Sequence, residues 1–153
     1  MNNLSFHITD IMTNSIRAKA SEIGLFIEER DLRITIRIAD NGLGMDAGTI
    51  ARVTNPFYTT RTTRKVGLGI PFLIQNAEQT GGAVSITSQP GKGTVVTASF
   101  CSNHIDCPPW GDLPGTVAML ITGNPDINIC FEYQAVKTVF SISTSEIKEI
   151  LDG

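Results

Sequence analysis

The sequence has no apolar run long enough to cross a bilayer, and its N-terminus lacks the apolar core of a secretory signal. Its three cysteines cannot all pair with one another, which argues against a secreted disulfide framework. A cytoplasmic protein is therefore expected. Neither charge is in large excess: 12 Lys and Arg stand against 15 Asp and Glu, a formal charge of −3. That balance gives no reason to expect a nucleic-acid or membrane partner. A P-loop of the form GxxxxGK-Ser/Thr is absent, as are internal repeats and low-complexity segments.

What is present is one domain's worth of chain, 153 residues, enough to bury a core, with glycine plentiful at 14. The charge is uneven. Residues 1–100 carry ten basic against eight acidic side chains, and residues 101–153 carry two against seven. This suggests a basic ligand-handling part over 1–100 and an acidic extension over 101–153, joined through the Pro-rich stretch 101–114. The extension is expected to pack on the first part as a small layer for pairing or partner docking.

Periodicity predicts a helix over about 4–20, where Ile8, Ile11, Met12, Ser15 and Ile16 form a buried stripe. Two strands follow at 23–28 and 32–39; in the second, Leu32, Ile34, Ile36 and Ile38 alternate with polar residues. A short helix is expected at 47–53, a loop at 54–66, and a helix at 67–80 ended by Gly81 and Gly82. Strands at 83–88 and 94–100 flank a Pro-Gly turn. The extension reads αββα, with a helix near 115–122, a hairpin from 127–133 and 139–143, and a closing helix over 144–151 capped by Thr144 or Ser145. The fold class is α+β, a sheet with its helices on one face.

Four motifs carry chemistry. Asp10 and Asn14 are i and i+4 and share one side of the first helix. An amide oxygen beside a carboxylate suits Mg²⁺, and the pair fits a solvated helix face equally well. Asp40-Asn41-Gly42-Leu43-Gly44-Met45 ends the second strand. Asp40 keeps the parity of Ile34, Ile36 and Ile38, so it faces the buried side, where a carboxylate needs a donor such as the exocyclic amine of adenine. The glycines let backbone approach a base or ribose closely, or take positive φ. The third, Asn55-Pro-Phe57-Tyr58-Thr59-Thr60-Arg61 with Arg64 and Lys65, alone reads as a solvated basic loop, and on a mobile segment its cations can close over a polyphosphate. The fourth, Gly67-Leu68-Gly69-Ile70, opens a helix whose free N–H groups favour an anion.

In order and spacing these motifs resemble the ATP-binding domain of histidine kinases, within the GHKL superfamily shared with MutL-type repair proteins, gyrase and chaperone ATPases. Residues 14–18 resemble the N box, 40–45 the G1 box, 55–61 the F box and lid, 67–70 the G2 box, and Gly91-Lys-Gly-Thr94 through Phe100 the closing hairpin. The resemblance implies a Bergerat-type two-layer sandwich with a mixed, mostly antiparallel sheet. It implies ATP or ADP as ligand and Mg²⁺ on Asn14. Asp40 would bind adenine, with Ala18, Gly42, Gly44, Met45 and Thr94 around the base, Thr94 through water. Phe57, Thr60, Arg61 and Arg64 would come from the lid, and Gly67, Leu68 and Gly69 would flank the phosphates. Arg61 and Lys65 are the candidate catalytic cations.

Asp10 stands where MutL-type and chaperone ATPases carry a water-activating Glu, and Asp is one methylene shorter. Val66 replaces a glycine frequent in kinase lids and is expected to stiffen the hinge. Few residues precede the N box, so the phosphoacceptor hairpin of a sensor kinase is expected to be missing and a protein partner to supply the acceptor. Small anti-sigma serine kinases are the analogue. His7 is expected to be structural or solvent-facing. Cys101, His104, Cys107 and Cys130 form a weak Cys₃His pattern in which ordinary free cysteines are favoured. Three functions remain: a MgATP-dependent kinase-like regulator, a MutL-like hydrolytic switch with Asp10 as base, and a non-enzymatic nucleotide sensor.

Overall fold

The computed structural model describes residues 3–55, 69–135 and 138–152. The elements run α1 (Leu4–Arg17), β1 (Glu22–Arg30), β2 (Arg33–Asp40), α2 (Ala47–Val53), α3 (Gly69–Gln79), β3 (Ala83–Gln89), β4 (Gly93–Cys101), α4 (Leu113–Gly123), β5 (Asn128–Ala135), β6 (Thr138–Ser143) and α5 (Thr144–Asp152). The strands form a single six-stranded sheet in the order β3-β4-β2-β1-β5-β6. All neighbours are antiparallel except β1 and β5. The α+β class and the mixed, mostly antiparallel sheet are thus as expected.

One sheet face makes the core. Ile23, Leu25 and Ile27 of β1, Ile34, Ile36 and Ile38 of β2, Val96, Ala98 and Phe100 of β4, and Ile129 and Phe131 of β5 are buried together with apolar side chains of α1, α3 and α4. On α1 these are Leu4, Ile8, Ile11 and Met12, the expected stripe. The other face stays wet, and there the Arg37 guanidinium lies 5.4 Å from the centre of the Phe26 ring.

Several boundaries differ from the sequence expectation for identifiable reasons. Helix α1 ends at Arg17 instead of continuing to residue 20, because Lys19 takes a left-handed conformation (φ 63°) and the N–H of Ala20 turns back to the carbonyl of Ser15. Leu32 was expected to be a buried strand residue. It is 63% exposed and sits with Asp31 at positive φ in the two-residue turn of the β1–β2 hairpin, whose closing pair is Arg30 and Arg33. A turn matching the twist of the strands needs positive φ at both positions, and Asp31 tolerates that better than Leu32 does. Gly81 (φ 87°) ends α3 as expected, with the Gly82 N–H donating to the Ala77 carbonyl at 2.9 Å.

The extension departs further. Its strands form no layer of their own, because β5 pairs with β1 over eight of its nine residues and carries β6 outward as the sheet edge. The cap of α5 is Ser143, whose Oγ accepts from the Glu146 N–H at 3.2 Å. Thr144 is instead buried, and its hydroxyl accepts from the Ile129 N–H at 2.9 Å. Among the described residues no helix is long and apolar enough to cross a membrane.

His7 fastens α1 to α3. It is 1% exposed, its Nε2 lies 2.7 Å from Asn76 Nδ2, and its Nδ1 is buried without a hydrogen-bond partner. The structural role expected for it is therefore the one it has. Burial lowers its pKa from 6.5 to about 4. A histidine held neutral on folding favours the folded state fully above the unfolded value, and that stability is lost as pH falls from 6.5 towards 4, where the unfolded chain binds the extra proton. Urea unfolding at pH 7.5 and pH 4.5 should show wild type losing about 2–3 kcal/mol more than His7→Gln across that interval. Equal losses in the two proteins would refute the assignment.

Candidate functional site

The end of β2 brings three segments together. Asp40 pairs in register with Ile23 on one side and Thr94 on the other. Its Oδ2 accepts from the Ser15 hydroxyl of α1 at 2.6 Å, and its Oδ1 accepts from the Gly42 N–H at 2.8 Å. Each oxygen thus has one protein donor and spare acceptor capacity. The following turn is clamped from both sides. The Leu43 N–H donates to the Ala18 carbonyl at 2.8 Å, and the Leu43 carbonyl accepts from Gly91 at 2.6 Å.

The two glycines of this turn are explained by backbone packing. A Cβ on Gly42 would lie 2.7 Å from the Ala18 carbonyl oxygen. Gly44 has φ +73°, and a Cβ there would overlap the Gln89 carbonyl. Met45 is held by its N–H donating to Ser88 Oγ at 2.7 Å, and Ser88 in turn sits 2.8 Å from Thr94 Oγ1.

Beside Asp40 opens a cleft of about 290 Å³. Of the residues singled out in the sequence, Asn14, Ala18, Asp40, Gly44, Met45 and Thr94 line it. Gly42 stands just behind, under the turn. Asp10 is not on the lining; it faces the start of α3, where a Cβ on Gly69 would lie 2.9 Å from its Oδ2. Burial pushes the Asp10 carboxyl above its ordinary value, an effect that the charge of Arg17 opposes. Phe57, Thr60, Arg61, Arg64, Lys65, Val66, Gly67 and Leu68 lie outside the described residues.

Ile11, Thr49, Val53 and Val96 also line it and were not singled out in the sequence, while Ser15, Arg17 and Ile70 had been placed in the boxes without a contact of their own. The signal was available on α1, where Ile11, Asn14, Ser15 and Ala18 follow the i, i+3, i+4, i+7 spacing of one helix face. Val96 shares a strand face with Thr94 by the period of two. Thr49 and Val53 are one turn apart on α2, a helix with no buried residue of its own.

The cleft suits a flat amino-bearing ring. Apolar side chains (Ile11, Met45, Val53, Ile70, Val96) wall it, and a carboxylate with unused acceptor capacity stands at one end. Asn14 and Arg17 line the same cleft and add an amide and a cation. The cysteines make no comparable cluster. Among the described residues no group of three or more His, Cys, Asp or Glu side chains is placed to hold a metal ion, and Cys101, Cys107 and Cys130 are free. Cys130 is exposed on β5, and the His104 ring accepts from the Asp106 N–H through Nδ1 at 3.0 Å.

Residues 3–103 match the family described as histidine kinase-, DNA gyrase B-, and HSP90-like ATPase. Among curated proteins, the sensor histidine kinase YxdK of Bacillus subtilis is 30% identical over 106 residues, 63% of this chain and 32% of that protein. The sensor protein kinase FleS of Pseudomonas aeruginosa is 35% identical over 93 residues, 59% and 23% of the two chains. The sensor histidine kinase ZraS of Escherichia coli is 28% identical over 92 residues, 59% and 20%. The chain spans about a third of the length of the first relative and less of the other two.

The backbone argument for Gly44 has a direct check. Gly44→Ala forces a left-handed alanine against the Gln89 carbonyl and should cost at least about 2 kcal/mol of unfolding free energy. Gly48→Ala, in α2 with only ordinary contacts around its new methyl, should be neutral or mildly stabilising. A Gly44→Ala protein that unfolds in urea within about 0.5 kcal/mol of wild type would overturn that reading.

Proposed function

The chain belongs to the histidine kinase-, DNA gyrase B- and HSP90-like ATPase family, and we propose that it binds MgATP in the Asp40 cleft and acts as a kinase-like regulatory domain whose phosphoryl acceptor lies on a protein partner. The observation that supports this most directly is the Asp40 carboxylate, held by Ser15 and Gly42 with acceptor capacity left over beside an apolar cleft. Asp40 accepts the amine of adenine, a contact a neutral amide at this position would mispair. Met45, Ile70 and Val96 exclude water from the ring faces. Thr94, positioned by Ser88, supplies a second polar contact through water.

Asn14 would hold Mg²⁺ together with phosphate oxygens, since a neutral amide oxygen suits a hard ion that keeps most of its own shell. Bound Mg²⁺ supplies charge neutralisation on the phosphates. Arg17, at the cleft, adds positive charge on the protein side. By the same reading Arg61, Arg64 and Lys65 belong to a closing lid, and Gly67 and Gly69 let α3 present its N–H groups to phosphate. Phosphoryl transfer needs mainly positioning and charge neutralisation, which this set supplies. Two units, 1–100 for nucleotide and 101–153 as an extension for pairing or partner docking, are the division we favour, in a cytoplasmic protein.

Titration calorimetry with ATP and ADP, with and without Mg²⁺, tests the assignment. Saturable ATP binding that Asp40→Asn weakens by about 1–3 kcal/mol is the expected result. Unchanged affinity in Asp40→Asn, or no saturable binding in wild type, would remove the proposal.

One observation favours a second reading. Asp10, one turn before Asn14, abuts the first residue of α3, and burial raises its carboxyl above the ordinary value. In a hydrolytic switch, Asp10→Asn abolishes slow phosphate release while ATP affinity stays within about two-fold of wild type. Equal release rates in the two proteins exclude Asp10 as the base.

A further inference from the structure

The sheet ends in two edges, β3 and β6, and they differ. Neither strand carries a charge or a proline, the residues that usually guard an edge. The exposed side chains of β3 are small or polar (Ala83, Ser85, Thr87, Gln89), and α3 packs against that strand. Strand β6 instead exposes two large apolar side chains, Val139 at 72% and Phe140 at 51%, on opposite faces of the sheet.

Behind β6 on the inner face lies an open groove of about 500 Å³, floored by Phe131, Phe140 and Ile142 and walled by α4 and α5. The Phe131 and Phe140 rings stand 6.1 Å apart. Among the described residues no charged side chain lines the groove, and α4 contains none along its whole length. Glu132, the one charge on β5, faces the other side of the sheet. On α5, Glu146 and Lys148 flank Ile147, both exposed and opposite in sign. Every residue of the groove and of β6 lies beyond residues 3–103, the stretch matched by the ATPase family.

These features choose among occupants. An open row of N–H and C=O groups takes another strand, and offers nothing comparable to a helix or a small apolar molecule. A foreign partner is steered and selected by complementary charge, and this surface has none to offer. An isologous contact sets like against like, which a charged surface opposes and a charge-free one permits. Charge depletion with enrichment in aromatic residues marks the core of an interface, most of all in homodimers, and Trp110, Phe131, Tyr133 and Phe140 give this surface that composition.

We propose that β6 pairs antiparallel with β6 of a second copy across a two-fold axis, giving a dimer with one continuous sheet. This pairing uses both exposed apolar edges and stops at two copies, whereas β6 on β3 would leave an edge at each end and grow without limit. An axis perpendicular to the sheet keeps both inner faces on one side, so Phe140 and Ile142 of the two copies meet and the grooves join. A ladder of six residues is short, so a dimer of micromolar strength is expected. The inference is independent of the nucleotide assignment.

Sedimentation of the full chain from about 1 to about 200 µM should show a single monomer–dimer equilibrium. Val139 is exposed and faces away from the groove, so Val139→Lys should fold normally while installing the cation that guards natural edges. Its dimer should be at least about ten-fold weaker. Ser85→Lys, at an exposed position on β3, should leave the equilibrium as it is. Amide exchange compared at the two ends of the concentration range should slow in β6 on dimerisation and stay constant in β3. A chain that remains monomeric throughout would overturn the proposal and leave the groove to a foreign partner. So would a dimer that Val139→Lys leaves intact, one that Ser85→Lys dissociates, assemblies larger than two copies, or β6 exchange that ignores concentration.

Discussion

A carboxylate on the inner side of a strand needs hydrogen-bond donors, because water does not reach it freely and an unpaired charge there would be costly. At Asp40 that need is met by Ser15 from α1 and by the N–H of Gly42 from its own turn. Both donors come at a geometric condition. Ser15 must face the sheet, which fixes the rotation of α1, and Gly42 must pass close under the Ala18 carbonyl, which excludes a side chain there. The Leu43 bonds to Ala18 and from Gly91 then tie the turn to the end of α1 and to the β3–β4 turn. A single half-buried acceptor thus ties together a helix end, a strand end and two turns.

The cleft is what remains between these fixed parts. Its walls are mostly residues that the core requires anyway: Ile11 and Ile70 come from the buried stripes of α1 and α3, and Val96 from the inner face of β4. Helix α1 serves both purposes by rotation alone. Leu4, Ile8 and Met12 are buried in the core, and Asn14 and Ala18, on the adjoining face, reach the cleft. Asp10, one turn before Asn14, reaches α3 instead, against the glycine that lets that helix start so close. The same short helix therefore touches both elements that would border a phosphate chain.

This explains which parts could be read from the sequence. Alternation in β2 and the parity of Asp40 survive into the structure because they depend on a period of two, a local property. The stripe of α1 and the glycine stop of α3 are local too. Ser15 was legible as a buried residue within the N-box stretch, but its bond to Asp40 was not, since that partner lies 25 positions away and nothing local announces it. Leu32 misled because an apolar residue in phase with Ile34 reads as strand, whereas closing a two-residue hairpin overrides that preference. For Gly44, positive φ was among the readings offered, but the carbonyl of Gln89 that fills the space of its missing Cβ belongs to a turn 45 residues on.

The placement of the extension follows from the same reasoning about edges. Strand β1 is buried along its inner face by Ile23, Leu25 and Ile27, and without a neighbour beyond it its outer row of N–H and C=O groups would be left open. Pairing with β5 closes that row over eight residues, from Glu22 with Asn128 to Glu29 with Ala135. The open edge then passes to β6, whose six residues contain no charge and no proline. Sheet edges in monomeric proteins are usually guarded by those devices, and β6 carries neither. The Asp40 cleft, lined from β2 and β4, and the β6 edge belong to one continuous sheet, where β1 connects them by pairing with β2 on one side and β5 on the other.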